Sequence, residues 1–349
     1  MSMSNPFSLS FGTRPAELIE RPVQAGEIID AFLSEYVNQR TYMITGVRGS
    51  GKTVLLTELS ARFKEMHDWT VIPLSPESDM IHSLAAKLSN SRKYYEIFRD
   101  AKSNLSLFGF GLEVDGEPPV TDDETAVLRM LGSIREKGGK VLITVDEVTN
   151  NEHIRKFAAV YQILIREEMP LFLIMTGLYE NVYDLQNEKS LTFLYRAPKI
   201  QLKPLNFPAM ADTYENSLGV EHKTAVEMAK LTRGFAFAFQ VLGYFTYKEE
   251  NREYKKVITK YRQYLDEYVY EKLWSELSAK DREIVICMAQ TGFETVSEIR
   301  THIGMDGNEF SKYRLRLIRK GLVDGSMRGR LFFVLPLFRE FVLNQVEYI

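Results

Sequence analysis

The chain has 349 residues, enough for two or three domains, and its composition of 45% hydrophobic and 26% charged residues is that of an ordinary globular protein. Its 44 basic and 47 acidic residues give a formal net charge of -3, which argues against a protein that coats nucleic acid along its whole length. A local basic patch remains compatible with this balance.

The single cysteine, Cys287, excludes an internal disulfide and a cysteine-rich metal site. Its apolar surroundings predict a buried structural thiol. The N-terminus lacks the apolar core of a secretory signal, and the longest apolar runs are far too short to cross a bilayer. We therefore expect a cytoplasmic protein that does not contact membranes.

Short apolar runs alternate with amphipathic segments over residues 42–202. The runs YMIT, TVIPL, KVLITV, LFLIM and APKIQL are typical of strands that are buried on both faces of a parallel sheet. Helices are predicted to start at Thr53, near Ile81, near Asp123 and near His153. Repeated alternation of strand and helix predicts an α/β fold with a parallel sheet.

The sequence GVRGSGKT, residues 46–53, fits the pattern G-x-x-x-x-G-K-S/T of a phosphate-binding loop. Glycines let successive backbone N–H groups converge on an anion, and the following helix adds its positive end. Lys52 is expected to reach the β- and γ-phosphates of ATP, and the Thr53 hydroxyl to ligate Mg²⁺. The residues predicted to bind nucleotide are Gly46, Gly49, Ser50, Gly51, Lys52, Thr53 and Val54.

Two adjacent carboxylates, Asp146 and Glu147, follow the apolar run KVLITV. A buried strand that ends this way places both at the carboxyl edge of the sheet, where α/β proteins bind ligands. We expect Asp146 to hold Mg²⁺ together with Thr53, and Glu147 to polarise a water for attack on the γ-phosphate. Thr176, at the end of LFLIMT, is suited to orienting that water, but a cap or turn role fits the pattern equally well.

The remaining segments predict an insertion and two further domains. Alternating apolar residues and glycines over residues 102–119 indicate a hairpin insertion or a surface loop. After Pro204 the pattern is only helical, and the chain ends with three helices and two short strands around DGSMRG, the order of a winged helix-turn-helix. We predict an α/β core over residues 1–203, a helical lid over 204–276 and a winged helix over 277–349.

The densest positive region of the chain lies on the third helix and the hairpin of this predicted winged helix. In DNA-binding winged helices these elements read the groove and contact phosphates, so duplex DNA is a candidate partner. The candidate DNA-binding residues are Lys312, Arg314, Arg316, Arg319, Lys320, Arg328 and Arg330. A solvated basic face, or a surface that docks on protein, would give the same pattern.

Helical periodicity divides the third helix into two faces. Leu315, Ile318 and Leu322 are expected to face the core. Arg316, Arg319 and Lys320 are expected to share another, solvated face.

The motifs GVRGSGKT, LITVDEV, LIMTG and LYRAPKIQLKPL, followed by a helical domain and a winged helix, resemble the AAA+ and STAND-like ATPases. The resemblance covers nearly the whole chain and is strongest to prokaryotic AAA-type ATPases that are similar to origin-recognition initiators. It implies a switch that binds ATP and Mg²⁺ beside a helical lid and changes the position of the lid on hydrolysis to ADP.

The same resemblance implies roles for four further positions. Thr176 matches the first sensor residue, and Arg196 matches an arginine that contacts the γ-phosphate, in cis or across a subunit boundary. Arg233 is the candidate for the second sensor, although it precedes Gly234 where relatives carry the arginine on the following helix. The segment around Arg21 resembles the one that packs on adenine.

Three functions are compatible with these observations. The first is an ATPase switch whose winged helix binds duplex DNA, and the second is a STAND-type signalling NTPase whose winged helix contacts protein. A phosphotransferase is the third, and the adjacent Asp146 and Glu147 argue against it because a water-activating acid favours hydrolysis. If Arg196 acts across a subunit boundary, the active protein must self-associate.

Overall fold

The structure, a computed structural model, describes residues 4–10, 15–94, 122–188 and 191–347. The chain forms two compact units. The sheet unit comprises residues 22–45 and 53–201, and the helical unit comprises residues 1–21, 46–52 and 202–349. The insertion predicted at residues 102–119 lies outside the described residues, and the three-domain division stays a prediction.

A parallel sheet forms the centre of the sheet unit. Its strands are β1 (Thr41–Thr45), β2 (Trp69–Leu74), β3 (Lys140–Val145), β4 (Leu171–Gly177) and β5 (Lys199–Gln201). They pair in the order β2, β3, β4, β1, β5, and every pair is parallel. Both β1 and β4 are buried along their whole length, as apolar strands covered on two faces are. The predicted parallel α/β fold is confirmed.

The four helices whose starts were predicted begin within one residue of the predicted positions. Side chains at their N-termini explain this agreement: Asp122 and Asn151 each accept a hydrogen bond from a backbone N–H three residues later. The helices are α1 (Pro22–Leu33), α2 (Lys52–Lys64), α3 (Met80–Ser89), α4 (Asp123–Glu136), α5 (Glu152–Arg166), α6 (Tyr179–Gln186) and α7 (Thr192–Tyr195).

The helical unit contains the phosphate loop and a set of helices that pack around large aromatic side chains. Tyr214, Tyr261 and Tyr270 are fully buried there, and burial raises the pKa of each phenol. The first helices are α8 (Phe207–Leu218), α9 (His222–Thr232), α10 (Ala236–Lys248), α11 (Tyr254–Leu265) and α12 (Glu271–Ser275).

The C-terminal module, residues 279–347, completes the helical unit. It has three helices and an antiparallel pair of short strands, in the order predicted for a winged helix, and then a last helix. Cys287 is buried in it, as expected. Its elements are α13 (Ala279–Thr291), α14 (Val296–His302), α15 (Gly307–Arg319), β6 (Val323–Asp324), β7 (Phe332–Phe333) and α16 (Phe338–Glu347).

The predicted orientation of Leu315 is wrong. Phe310 and Leu317 are the buried residues of α15, whereas Leu315 is 45% exposed. At about 100° per residue, Leu315 points about 140° away from Phe310, so it cannot share the buried stripe. Leu322 is buried and Ile318 packs against the core, as predicted.

The helices are short. The longest in the described part of the chain, α5, has 15 residues, whereas a membrane-spanning helix needs about 20 apolar residues. No described helix is long and apolar enough to cross a membrane.

Candidate functional site

The phosphate loop connects the end of β1 to the start of α2. Gly49 and Gly51 have φ angles of 79° and 93°, in the left-handed region where a side chain is strained. A Cβ on Gly46 would lie 2.4 Å from the Ser50 Oγ, so this position also requires glycine. The three glycines therefore shape the loop as a phosphate-binding motif requires.

The Lys52 side chain lies over the loop. Its Nζ donates to the carbonyl oxygens of Gly46 and Val47, each at 3.0 Å, and the residue is buried. The Ser50 Oγ is also buried and has no hydrogen-bond partner within the described residues. A buried ammonium and an unpartnered hydroxyl beside a helix N-terminus fit the oxygens of a phosphate.

Arg21 supports the loop from the N-terminal segment. Its guanidinium donates to the Lys203 carbonyl at 2.7 Å and to the Ser50 carbonyl at 3.2 Å. Burial lowers the pKa of Arg21 to about 10, so the side chain stays protonated at neutral pH. This role was not visible in the sequence, where Arg21 was linked only by resemblance to the adenine segment.

An acidic cluster forms at the carboxyl edge of the sheet. The Thr53 Oγ1 donates to Asp146 Oδ2 at 2.7 Å, and the Thr176 hydroxyl donates to the other carboxylate oxygen. Two oxygen ligands this close, on a hydroxyl and a carboxylate, fit Mg²⁺, which takes few protein ligands and keeps several waters. The structure thus brings the predicted metal ligands together.

Glu147 lies beside this cluster in a strained backbone conformation. Its φ of 54° is left-handed, and its N–H donates to Asp146 Oδ1 at 3.1 Å and to Thr176 Oγ1 at 3.2 Å. The side chain is exposed. Such a conformation costs about 1–3 kcal/mol, and the two hydrogen bonds that the Glu147 N–H donates help to hold it.

The two arginines matched to the family sensors belong to different units, Arg196 to the sheet unit and Arg233 to the helical unit. Arg196 is exposed after α7, and in the described part of the chain no hydrogen bond joins its side chain to the acidic cluster. Arg233 has a left-handed φ of 51° and donates to the Phe333 carbonyl of the C-terminal module at 2.7 Å. Their sensor roles stay predictions.

Several of the seven candidate DNA-binding residues bond to groups inside the C-terminal module or its flanks. Arg316 forms a bidentate ion pair with the buried Asp281, at 2.9 and 2.6 Å. Arg314 donates to the Gly325 carbonyl at 3.2 Å, and Arg330 pairs with an exposed glutamate, Glu294, at 3.3 Å. Lys312 and Arg328 are exposed, and Arg319 and Lys320 are partly buried.

Comparison with solved structures identifies the fold. The Walker-type ATPase PABY2304 of Pyrococcus abyssi superposes with a TM-score of 0.68 at 15% identity, covering 97% of this chain and 99% of that chain. The ORC2 protein of Aeropyrum pernix, in ADPNP-ADP complexes, superposes with a TM-score of 0.62 at 15% identity, covering 97% of each chain. The fold is that of the AAA+ phosphate-loop ATPases.

Sequence comparison reaches less of the chain. A family profile for a domain of unknown function (DUF8462) matches residues 267–342, which cover most of the C-terminal module. No curated protein sequence matches the chain.

Sequence reasoning missed the contacts that the loop of this AAA+ fold makes with the rest of the helical unit. The Phe237 N–H donates to the Gly49 carbonyl at 3.0 Å, and the Val47 side chain lies against Gly321. The partners are far apart in sequence, and glycines after helices are common, so no local signal marks them.

Proposed function

We propose that this protein is a Mg²⁺-dependent ATPase switch of the AAA+ type, whose nucleotide state controls DNA binding by the C-terminal module. The observation that carries the proposal is the hydrogen bond from the Thr53 hydroxyl to Asp146. Thr53 directly follows the loop lysine, Lys52. A phosphate loop alone is shared by many nucleotide-binding proteins. The hydroxyl and carboxylate ligands beside it are the combination that phosphoryl transfer requires.

Lys52 and the loop amides would bind the phosphates. The Lys52 ammonium, now shared between two loop carbonyls, would transfer its hydrogen bonds to the β- and γ-phosphate oxygens, which are stronger acceptors because they are charged. The Ser50 hydroxyl would gain the partner that it lacks among the described residues. Arg21 would keep the Ser50 carbonyl turned away from the anion.

Thr53 and Asp146 would hold Mg²⁺, which supplies positive charge to the phosphate oxygens as the leaving group departs. Glu147 would accept a proton from the attacking water, since its exposed carboxylate extends from a backbone fixed by two hydrogen bonds. Thr176 would position Asp146 and the Glu147 N–H through its hydroxyl. Removing Thr176 would therefore disturb the metal ligand and the base together.

DNA is the proposed partner of the C-terminal module. Lys312 on α15 and Arg328 in the hairpin are exposed cations on the elements that contact DNA in winged helices. Arg319 and Lys320 extend this charge at the end of α15. Such cations would contribute mainly phosphate contacts, so affinity would fall steeply with salt.

The proposal is tested by Mg²⁺-dependent ATP hydrolysis of the wild type and of Glu147→Gln, with and without duplex DNA. We expect turnover to fall by about 10²- to 10⁴-fold with nucleotide binding retained. Glu168→Gln is the matched control, because Glu168 is also an exposed glutamate with a left-handed φ, 56°, outside the acidic cluster. Equal turnover in both variants would remove Glu147 from the reaction.

A STAND-type signalling NTPase is the second candidate, in which the module contacts a protein. Two exposed apolar side chains favour it: Leu315 on α15 and Met327 in the hairpin, which is 54% exposed. Apolar side chains on an exposed face are typical of protein interfaces. Turnover that depends on Glu147 but is indifferent to DNA, together with no DNA affinity at low salt, would favour this function.

A further inference from the structure

We propose that the contact between the Val47 side chain and Gly321 couples the phosphate loop to the C-terminal module, so that nucleotide binding at the loop shifts the end of α15. The proposal rests on the proposed function, because it takes residues 46–53 as the site of the nucleotide phosphates. It adds a route by which the module senses the nucleotide.

The contact is too close for any side chain at position 321. Gly321 follows α15 with a left-handed φ of 68°, and a Cβ there would lie 2.1 Å from the Val47 Cγ1. The valine therefore packs directly on the bare backbone of the turn. Because valine is β-branched and has few allowed rotamers, Val47 cannot easily turn away from a displaced neighbour.

The turn that Val47 contacts is part of α15. The Gly321 N–H donates to the Ile318 carbonyl at 2.9 Å, and the Leu322 N–H donates to the Leu317 carbonyl at 3.1 Å. These bonds end the helix in the manner of a glycine C-cap. A shift of Gly321 is therefore transmitted to the last turn of α15, next to Arg319 and Lys320.

The other end of the contact is part of the phosphate loop. The Val47 carbonyl accepts hydrogen bonds from the Lys52 ammonium at 3.0 Å and from the Ser50 N–H at 3.1 Å. Phosphate oxygens on the loop would compete for the same ammonium, because they are charged acceptors. Nucleotide binding thus changes the bonds that hold the Val47 backbone, and with it the position of the Val47 side chain.

A second connection runs from the loop to the hairpin. The Gly49 carbonyl accepts from the Phe237 N–H, and Gly49 packs against the Phe235 ring, where a Cβ would lie 2.8 Å from Cζ. Two residues before Phe235, Arg233 donates to the Phe333 carbonyl in β7. The segment 233–237 therefore holds the loop and the hairpin in fixed positions relative to each other. A shift of Val47 would then move α15 relative to both.

The test compares Gly321→Ala with Gly304→Ala in the full-length protein, using the dissociation constant of a fluorescent ATP analogue with Mg²⁺. Gly304 lies in the same module with a φ of 66°, and a Cβ there would meet nothing within 4 Å. Both variants carry the same backbone strain, but only Gly321→Ala pushes on Val47. We expect Gly321→Ala to raise the dissociation constant about fivefold or more over Gly304→Ala.

Adding Val47→Ala to Gly321→Ala removes the overlap, because the next atom, the Val47 Cβ, lies 3.6 Å from the added methyl group. We expect the double variant to return toward the Gly304→Ala value, which a general loss of stability would not produce. Val47→Ala alone, which adds no bulk, should reduce the nucleotide-dependent change in hydrogen exchange over residues 307–322.

Each outcome decides the proposal. Equal affinities in Gly321→Ala and Gly304→Ala, or no recovery in the double variant, would overturn the coupling while the ATPase function stands. Wild-type protein that binds no nucleotide would instead remove the proposed function, and the coupling with it. An exchange response of residues 307–322 that is undiminished in Val47→Ala would show that nucleotide acts on α15 by another route.

Discussion

The phosphate loop and helix α15 are both predicted from the sequence to bind anions, but they would do so with different atoms. In the loop the donors would be mainly backbone N–H groups, which the left-handed Gly49 and Gly51 allow to converge. In α15 the donors are side chains, and Arg314 and Arg316 already bond to other parts of the protein. Counting charges along a sequence therefore overstates a side-chain site, whereas a backbone site follows from the motif itself.

The largest effect is expected from a methyl group on the loop. In Gly49→Ala the new Cβ would lie 2.8 Å from the Phe235 Cζ and 3.0 Å from the Phe237 Cβ, at a φ of 79°. Left-handed strain and the displaced rings together should weaken ATP-analogue binding by about 100-fold, equivalent to about 3 kcal/mol. Titration of a fluorescent ATP analogue measures this.

Gly219→Ala is the control for backbone strain, since Gly219 has a φ of 67° and open space around it. It should lose some stability and keep its nucleotide affinity. If both variants bind nucleotide as the wild type does, the loop is not a backbone anion site, and the contrast with α15 disappears.

The second-largest effect is expected from the loss of an ion pair that α15 makes. Arg316→Ala would leave the carboxylate of Asp281 buried without its ion pair, since Asp281 is almost fully buried. Because the Arg316 side chain is 37% exposed, we expect a loss of about 2 kcal/mol in the free energy of unfolding, less than for a fully buried pair. Denaturant titration measures it, with the exposed Lys312→Ala, expected within about 0.5 kcal/mol of wild type, as the control. Equal stability of the two variants would mean that Arg316 is as available to DNA as Lys312.

Much of the fold could be predicted because its signals are local. Apolar runs marked all five strands of the parallel sheet, and four helix starts were predicted to within one residue. In the structure Asp122 and Asn151 cap two of these helices. The acidic cluster followed as well, since parallel strands place their carboxyl ends at one edge of the sheet, where Asp146 meets Thr176.

The remaining features depend on pairs of residues far apart in the chain. Asp281 lies 35 positions before Arg316, and Phe333 lies 100 positions after Arg233. Periodicity assigns a residue to a helix face, but it does not name the partner on another element. For this reason Arg316 was predicted to be a solvated cation, and Arg21 to be part of an adenine-binding segment. In the structure both guanidinium groups donate to oxygen atoms of the protein itself.

The third prediction concerns the cations of the C-terminal module that remain exposed. Replacing Lys312 and Arg328 together by Gln should weaken DNA binding several-fold and reduce the slope of log K against log salt by about 2, one for each lost phosphate contact. Arg330→Gln should change the slope less, because Glu294 already neutralises that guanidinium. Fluorescence anisotropy over a salt series distinguishes them. A larger change of slope in Arg330→Gln than in the double variant would mean that internal partners do not decide which cations contact DNA.

The smallest effect is expected from Asp266, a carboxylate that, unlike Asp281, forms no ion pair among the described residues. Burial raises the pKa of Asp266 to about 6, with Glu271 and Glu340 adding to the shift and Arg262 opposing it, and its Oδ1 has no hydrogen-bond partner within the described residues. Since the pKa in the unfolded chain is about 3.9, the folded state holds a proton that the unfolded state releases between about pH 4 and pH 6. Ionising Asp266 therefore costs stability as pH rises through this window.

Asp266→Asn removes that ionisation, so the variant should gain stability relative to the wild type as pH rises from about 4 to 7, by about 1 kcal/mol after allowing for solvent screening. Urea titrations of both proteins at several pH values measure the difference. A difference that is constant with pH would mean that Asp266 ionises in the folded protein as it does in the unfolded chain. Asp281 and Asp266 lie in the same unit. Arg316→Ala is expected to lower the free energy of unfolding, and Asp266→Asn to raise it relative to the wild type as pH rises. Opposite signs would show that the partner of a carboxylate decides its effect on stability.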